Sequence, residues 1–205
     1  MRIITISRQF GSGGREVGKR LADELGFAYY DREIVSEIAR RMELDEDYVE
    51  GTLARGLNYN IPIHFGRSFA YMPMPVNTTA EIFAEQHKLL KELAAKGDCI
   101  IVGRAADVLL SEYDPFNIFV YAKLPARVAR CRARAGEGEK LTDRELEKSI
   151  RRIDAERARY RALFADTEWG DPEAYHLCVN TTGREIKKLV PSIAAYAKGW
   201  FEQKV

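Results

Sequence analysis

Cysteine and histidine are scarce in this sequence, and neither forms a pattern typical of disulfides or metal sites. Its 205 residues include three cysteines, far apart and without a CxxC pair: Cys99, Cys131 and Cys178. Cys99 and Cys178 lie in apolar, strand-like runs, where free cysteine packs as a small hydrophobic residue. The three histidines also lack metal-ligand spacing; they lie at positions 64, 87 and 176. We therefore predict no protein-held metal cluster, and a reducing compartment.

The sequence also lacks a charge excess and a long hydrophobic run. Its 32 lysines and arginines nearly balance its 31 aspartates and glutamates, giving a formal net charge of +1. General attraction to nucleic acid or to an anionic membrane is therefore not expected. The apolar run at the N-terminus is too short for a signal sequence, and no later run approaches the length of a membrane span. We expect a cytoplasmic protein with neither nucleic acid nor membrane as a partner.

The sequence does contain a regular alternation of strand and helix patterns. Short runs typical of buried strands occur at 3–6, 27–30, 99–102, 117–122 and 176–180. After the first run, Val17, Leu21 and Leu25 recur at helical spacing. Further helices are expected at about 33–42, from Thr78 or Thr79 onward, and from about Arg184 to the end. This alternation predicts an α/β protein with a mainly parallel five-stranded sheet and helices on both faces.

Residues 56–77 fit neither pattern. They are rich in asparagine, proline, methionine and aromatic residues and have no sustained period. We expect an irregular insertion within a single domain spanning residues 1–205. It could cover a site, form a subunit contact in a homodimer, or simply pack as a surface loop.

The strongest local signal is a glycine-rich stretch between the first strand and the first helix, SRQFGSGGREVGKRLA at 7–22. The backbone N–H groups of such a turn and the helix N-terminus can converge on a phosphate group. The GxGxxG template fails, because Glu16 stands at its third glycine. In the GxxxxGK[ST] template, Arg8 stands for the first glycine, Gly14 for the lysine and Arg15 for the hydroxyl residue. The stretch is therefore either a modified phosphate loop, with its lost charge supplied by Arg15, Arg8 or Lys19, or a tight turn that binds no ligand.

Several segments, in order along the chain, resemble those of cytidylate kinases, and more closely those of cytidylate-kinase-like proteins. The loop and KRLADELGFAYYD resemble the family's loop, helix and second strand, and IIVGRAADVLL at 100–110 resembles a strand followed by a GRD segment, which is GRA here. NIFVYAKLPARVARCRAR at 117–134 is similar to a strand that enters an arginine-rich helix and lid. RRIDAERARYR at 151–161 and HLCVNTTGREIKKLV at 176–190 resemble the helix after the lid and the closing strand, turn and helix. Only 43–77 falls outside the resemblance.

The resemblance implies a three-layer P-loop kinase-like fold with an arginine-rich lid at about 130–160. It also implies an ATP- and Mg²⁺-dependent phosphotransferase whose acceptor is a nucleoside monophosphate such as CMP or dCMP. Such chemistry consists mostly of positioning and charge neutralisation. Arginine suits it, because arginine stays charged and binds phosphate oxygens bidentately.

Site residues follow from the loop and the resemblance together. The residues expected to bind the triphosphate are Gly11, Ser12, Gly13, Gly14, Arg15, Glu16, Arg130 and Arg134, with Glu16 also able to share the metal. Those expected to bind the acceptor are Asp31, Arg104, Asp107, Asp154 and Arg157. Catalytic charge is expected from Arg15, Arg104, Arg130 and Arg157. Arg104 is the best supported, because it follows a buried strand and a glycine, where ligands collect in open α/β sheets.

Two alternatives stay open. Arginines mixed with glutamates along a helix usually form a solvated, ion-paired face, which we expect for Arg127, Arg132, Arg144 and Arg159. The missing lysine and hydroxyl also leave open a non-catalytic nucleotide sensor built on a kinase fold. A structural protein that uses 56–77 as a contact surface would bind no phosphate at all.

Overall fold

A computed structural model of the protein describes residues 1–55, 76–135 and 141–203. Most of the predicted insertion, 56–75, lies outside these residues, as do 136–140 of the predicted lid. Within the described ranges, no helix is both long enough and apolar enough to cross a bilayer.

The described strands form one parallel sheet. They are β1 (Ile3–Arg8), β2 (Ala28–Tyr30), β3 (Cys99–Val102), β4 (Phe116–Tyr121) and β5 (Leu177–Asn180). Their order across the sheet is β2-β3-β1-β4-β5, and every neighbouring pair is parallel. The predicted α/β class and five-stranded parallel sheet are confirmed, with strand ends within two residues of the predicted ones.

Helices connect the strands. They are α1 (Gly14–Leu25), α2 (Glu33–Met42), α3 (Glu46–Arg55), α4 (Val76–Ala95), α5 (Ala106–Leu109), α6 (Leu124–Arg132), α7 (Asp143–Arg161) and α8 (Ile186–Glu202). Helix α2 has the predicted bounds, whereas α3 was not predicted. Helix α4 begins two residues before the predicted cap at Thr78, so 76–77 belong to a helix and not to the insertion. The predicted arginine-rich lid is not confirmed, because the residues described there are mainly the two helices α6 and α7.

Both faces of the sheet are covered, because side chains alternate along each strand and the apolar runs supply both sides. Ile3 and Ile101 pack on the side of α2, α3, α4 and α5. Ile4 and Ile100 pack on the opposite side, against α1 and α8. These four isoleucines are almost completely buried, and each such burial stabilises the fold by about 1.5–3 kcal/mol.

Parallel strands bring their carboxyl ends to the same edge of the sheet. Arg8 is the last residue of the central strand β1, and Asp31 comes directly after β2. Gly103 and Arg104 follow β3, and Thr181 follows β5. The fold therefore gathers polar and charged residues from four strands at the edge where open α/β sheets bind ligands.

Candidate functional site

The glycine-rich loop joins β1 to α1 through a left-handed turn. Gly13 precedes the helix with φ 87°, a conformation that glycine adopts at little cost. A Cβ atom at this position would also overlap the side chain of Ile186. No described side chain caps α1, so the first N–H groups of the helix are left for another acceptor, such as a phosphate oxygen.

Three side chains from distant parts of the chain hold the backbone of this loop. Their hydrogen bonds are Phe10 N to Asp154 Oδ1 (2.7 Å), Arg130 Nη1 to Gly11 O (2.9 Å) and Thr181 Oγ1 to Ser12 O (2.6 Å). They come from α7, α6 and the turn after β5. The loop is therefore fixed by tertiary contacts and not by its own sequence alone.

Asp154 is also the partner of a buried arginine. Arg127 Nη1 lies 2.6 Å from Asp154 Oδ2, and the Arg127 side chain is only 5% exposed. Burial raises the pKa of Asp154, although the Phe10 amide and the charge of Arg127 oppose that shift. The expectation that Arg127 lies on a solvated face was wrong, because the residue is ion-paired but buried. The structure places Asp154 against the loop and Arg127.

Two cavities open on either side of a group of arginines. The first, of about 320 Å³, lies over the glycine loop and is also lined by α6 and α7. The second, of about 150 Å³, lies at the carboxyl ends of β1 and β3, beside α3 and α7. The arginines that line both are Arg8, Arg15 and Arg157. The two cavities are therefore adjacent and share three arginines in their linings.

Most of the residues predicted for the triphosphate line the first cavity: Gly11, Gly13, Gly14, Arg15, Arg130 and Arg134. Ser12 does not line it, because its side chain is fully buried and its hydroxyl donates to Gln9 O. Glu16 lies on the first turn of α1 and pairs with Arg20 (3.0 Å) and Arg134 (2.7 Å).

Of the residues predicted for the acceptor, Arg104 and Arg157 line the second cavity. Asp107 does not: its side chain is 2% exposed and lies 2.7 Å from Arg161 Nε in a buried ion pair between α5 and α7. Asp31 is buried as well and pairs with Arg15 at 2.7 Å. The aspartates of the predicted set therefore hold arginines in place, and the two arginines face the cavity.

The arginines at this edge outnumber the carboxylates beside them. Burial and the charge of Arg157 lower the pKa of Arg8 to about 9, against an opposing effect of Asp31. Burial likewise lowers the pKa of Arg157 to about 10, and the charges of Arg15 and Arg104 add to that shift. An anion bound between these side chains would relieve the repulsion, so the site is suited to phosphate groups.

Two residues that the sequence analysis missed contribute to the site. Glu50 of α3 lies 2.6 Å from Arg104 Nη2 and lines the second cavity. It falls in 43–77, outside the family resemblance, so no sequence signal pointed to it. Thr181, whose hydroxyl holds Ser12, lies in the threonine-containing turn that the resemblance had marked, but without an assigned role.

The donor set fits a triphosphate. Glycine backbone, the start of α1 and arginine side chains all meet at the first cavity. Among the described residues, no group of three His, Cys, Asp or Glu side chains could hold a metal ion by itself. Mg²⁺ is usually held by one or two carboxylates together with substrate phosphates and water. A magnesium ion here would thus depend on the phosphate oxygens, with Glu16 as the predicted carboxylate.

The cytidylate kinase-like family matches residues 3–183. The chain belongs to this family. The predicted resemblance is thereby confirmed over most of the sequence, including the glycine loop, α7 and the turn after β5. No curated protein matches this cytidylate kinase-like chain.

Solved structures share its fold at low sequence identity. An uncharacterized protein from Eubacterium ventriosum has 20% identity and a TM-score of 0.69, with 97% of this chain and 99% of that chain covered. Shikimate kinase from Bacteroides thetaiotaomicron has 14% identity and a TM-score of 0.55, with 98% of both chains covered. Shikimate kinase from Acinetobacter baumannii, in complex with shikimate, has 15% identity and a TM-score of 0.53, over 97% and 94%. These likenesses show that the cytidylate kinase-like chain has a P-loop kinase-like fold.

Proposed function

We propose that this protein is a nucleotide-dependent phosphotransferase, which passes the γ-phosphoryl group of ATP to a nucleoside monophosphate of the CMP or dCMP type or to a related small acceptor. The observation that carries the proposal is the pair of cavities on either side of shared arginines. A phosphotransferase needs two ligands whose reacting ends meet at a region of positive charge.

The first cavity is suited to the triphosphate. Arg130 is anchored to the loop and to the turn after β5, through Gly11 O and Thr181 O, and still lines the cavity. Arg134, in the turn just after α6, lines it too and is held by Glu16. The bound triphosphate supplies the γ-phosphoryl group. The acceptor oxygen bonds to its phosphorus while the bond to the β–γ bridging oxygen breaks, and the electron pair of that bond leaves on the diphosphate. The described side chains position these groups and offset their charge.

The second cavity is suited to the acceptor's anionic group. Arg104 follows β3 in a left-handed conformation with φ 59°, which costs a non-glycine residue about 1–3 kcal/mol and which clusters at functional sites. Its guanidinium pairs with Glu50, whose side chain is 56% exposed, whereas that of Arg104 is 16% exposed. An acceptor phosphate would take the place of Glu50 on Arg104.

The test is phosphoryl transfer from ATP with Mg²⁺ across CMP, dCMP, UMP, AMP and GMP, with products separated by chromatography. Arg104→Ala should abolish acceptor use while ATP affinity, measured by calorimetry, is unchanged. Arg159→Ala is the matched control, because Arg159 lies exposed on α7 and lines neither cavity. Full turnover in Arg104→Ala would show either that Arg104 does not hold the acceptor or that a contaminating kinase is active.

The main alternative is a non-catalytic nucleotide sensor. It is favoured by one observation, which is that Gly14 and Arg15 replace the lysine and the hydroxyl residue of the phosphate loop. Loss of electrostatic groups that contact transferring oxygens commonly costs a factor of about 10²–10³ in rate. Saturable ATP binding without transfer to any tested nucleotide would contradict a nucleoside monophosphate as the acceptor, and would favour either the sensor or a kinase for a different acceptor.

A further inference from the structure

Two departures of the loop from the phosphate-loop template lie side by side in space. Arg8 stands where the template has glycine, and Gly14 stands where it has lysine. A Cβ atom on Gly14 would lie 2.5 Å from the Cβ and 2.8 Å from the Cγ of Arg8. Both distances are shorter than side chains tolerate, so the loop has room for a long side chain at only one of the two positions. Compared with the template, the charged side chain and the glycine have therefore exchanged positions, with the charge at position 8 and the glycine at position 14.

A second glycine makes room for the other end of the same arginine. Gly103, directly after β3, has φ 78°, and a Cβ atom there would overlap the guanidinium of Arg8. The Arg8 side chain therefore extends from the end of β1, past Gly14, to the turn after β3. In this position it lines both cavities.

Of the four arginines at this edge of the sheet, Arg8, Arg15, Arg104 and Arg157, Arg8 has the weakest polar contacts. The short contacts of the others are Arg15 Nε to Asp31 Oδ2 (2.7 Å), Arg104 Nη2 to Glu50 Oε2 (2.6 Å) and Arg157 Nη1 to the backbone O of Arg8 (3.0 Å). Arg8 approaches Asp31 only at 3.6 Å, and its side chain is 14% exposed. Its buried Nε has no hydrogen-bond partner among the described residues. A buried donor in that state is costly unless a ligand satisfies it.

We propose that Arg8 is the catalytic residue that contacts the γ-phosphoryl group during transfer, in the role that the missing loop lysine would have had; this inference rests on the proposed function. During transfer, the acceptor oxygen forms a bond to the γ-phosphorus and the bond from that phosphorus to the bridging oxygen breaks. The electron pair of the broken bond leaves on the diphosphate. Arg8 neither gains nor loses a proton in this step. Its planar guanidinium offers several donors at once, so it can contact the transferring group from a position between the cavities.

The first experiment measures binding apart from turnover. Isothermal titration with inorganic tripolyphosphate and with ATP compares the wild-type protein, Arg8→Gln and the exposed control Arg159→Gln. We expect Arg8→Gln to weaken tripolyphosphate binding by at least about tenfold and to slow transfer by about 10²-fold or more, with the control unchanged. Wild-type affinity and rate in Arg8→Gln would overturn the proposal.

The exchange of positions gives a second, sharper test. Arg8→Gly should lose tripolyphosphate affinity, and the double variant Arg8→Gly/Gly14→Lys should regain at least about tenfold of it, because the template arrangement is restored. Circular dichroism and thermal melting establish that both variants fold. If the folded double variant binds no better than Arg8→Gly, the two positions are not equivalent and the inference is wrong.

Gly103→Ala provides a variant in which Arg8 is retained but displaced. If both substitutions act through the Arg8 guanidinium, the double variant Arg8→Gln/Gly103→Ala should bind tripolyphosphate no more weakly than Arg8→Gln alone. If the two losses of affinity add in the double variant, the proposal is overturned. The outcomes also separate this inference from the proposed function. A wild-type protein that binds tripolyphosphate through Arg8 but phosphorylates no acceptor would refute transfer and leave Arg8 as a phosphate ligand only.

Discussion

Asp154→Ala is expected to destabilise the protein strongly, although the residue belongs to none of its hydrophobic clusters. The substitution leaves the buried guanidinium of Arg127 without its carboxylate partner and the Phe10 N–H without its acceptor. Removing one partner of a buried ion pair costs about 3–5 kcal/mol. The unsatisfied amide alone would cost about 1–3 kcal/mol. Because the two losses share one side chain and are not additive, we expect the free energy of unfolding to fall by about 3–5 kcal/mol.

The assay is urea unfolding followed by circular dichroism, with thermal melting as a second measurement. For a chain of this size each kcal/mol corresponds to about 2–4 °C in melting temperature, so the expected decrease is roughly 6–20 °C. Asp23→Ala is the matched control. Asp23 and Lys19 form an exposed pair on α1 at 2.9 Å, with side chains 62% and 60% exposed, and such pairs contribute about 0.3–0.5 kcal/mol.

The double variant Asp154→Ala/Arg127→Met separates the buried charge from the lost packing. Replacing both members of a buried pair with apolar side chains is often close to neutral, so the double variant should be more stable than Asp154→Ala alone. A loss of less than about 1 kcal/mol in Asp154→Ala, or a double variant less stable than the single one, would refute the account of a buried charge fixing the loop.

Two further predictions concern α2 and the start of α1. Hydrogen bonds from Arg40 and Arg41 lower the pKa of Glu37 from its ordinary value of 4.5 to about 2. The stabilisation that ionised Glu37 gives the folded protein is therefore complete above pH 4.5 and is lost as the pH falls towards 2. Glu37→Gln should therefore lower the urea midpoint at pH 6 but not near pH 2, and an equal effect at both would contradict this assignment. Gly13→Ala should cost about 1–2 kcal/mol for the left-handed conformation, plus about 1–3 kcal/mol for overlap with Ile186. Gly26→Ala, with φ 70° and open space around its Cβ, should show only the first cost, and equal losses in the two variants would rule out the overlap.

The parts of the fold that could be predicted are those encoded in local patterns. The short apolar runs specified the five described strands to within two residues of their observed ends. Helix α2 was predicted with its observed bounds, because Ile34, Val35 and Ile38 recur at helical spacing. Helix α3 escaped prediction, because within it only Val49 and Leu53 are buried hydrophobic residues, too few to establish a period.

Residues of the candidate site could be predicted only where the residue type and its position in the strand–helix pattern together implied a role. Arg104 was recognised because it follows a buried strand and a glycine, and the structure places it at a cavity. The role of Asp154 was not recognised, because its partner Phe10 is 144 residues away in sequence and the same aspartate also fits a ligand-binding motif. Arg127 was misjudged for a related reason, since a charged helix gives no sign of which of its arginines is turned inward.

The distant anchors of the glycine loop have a consequence for biosynthesis. The loop is translated before these anchors, because the threonine hydroxyl that holds Ser12 is 169 residues further along the chain. At about 5–20 residues per second, that distance corresponds to roughly 8–35 s of translation. Throughout this interval the nascent chain carries the loop without its full set of anchors. Nucleotide binding should therefore begin only after the residues that hold the loop have been synthesised, and a nucleotide should not assist folding before then.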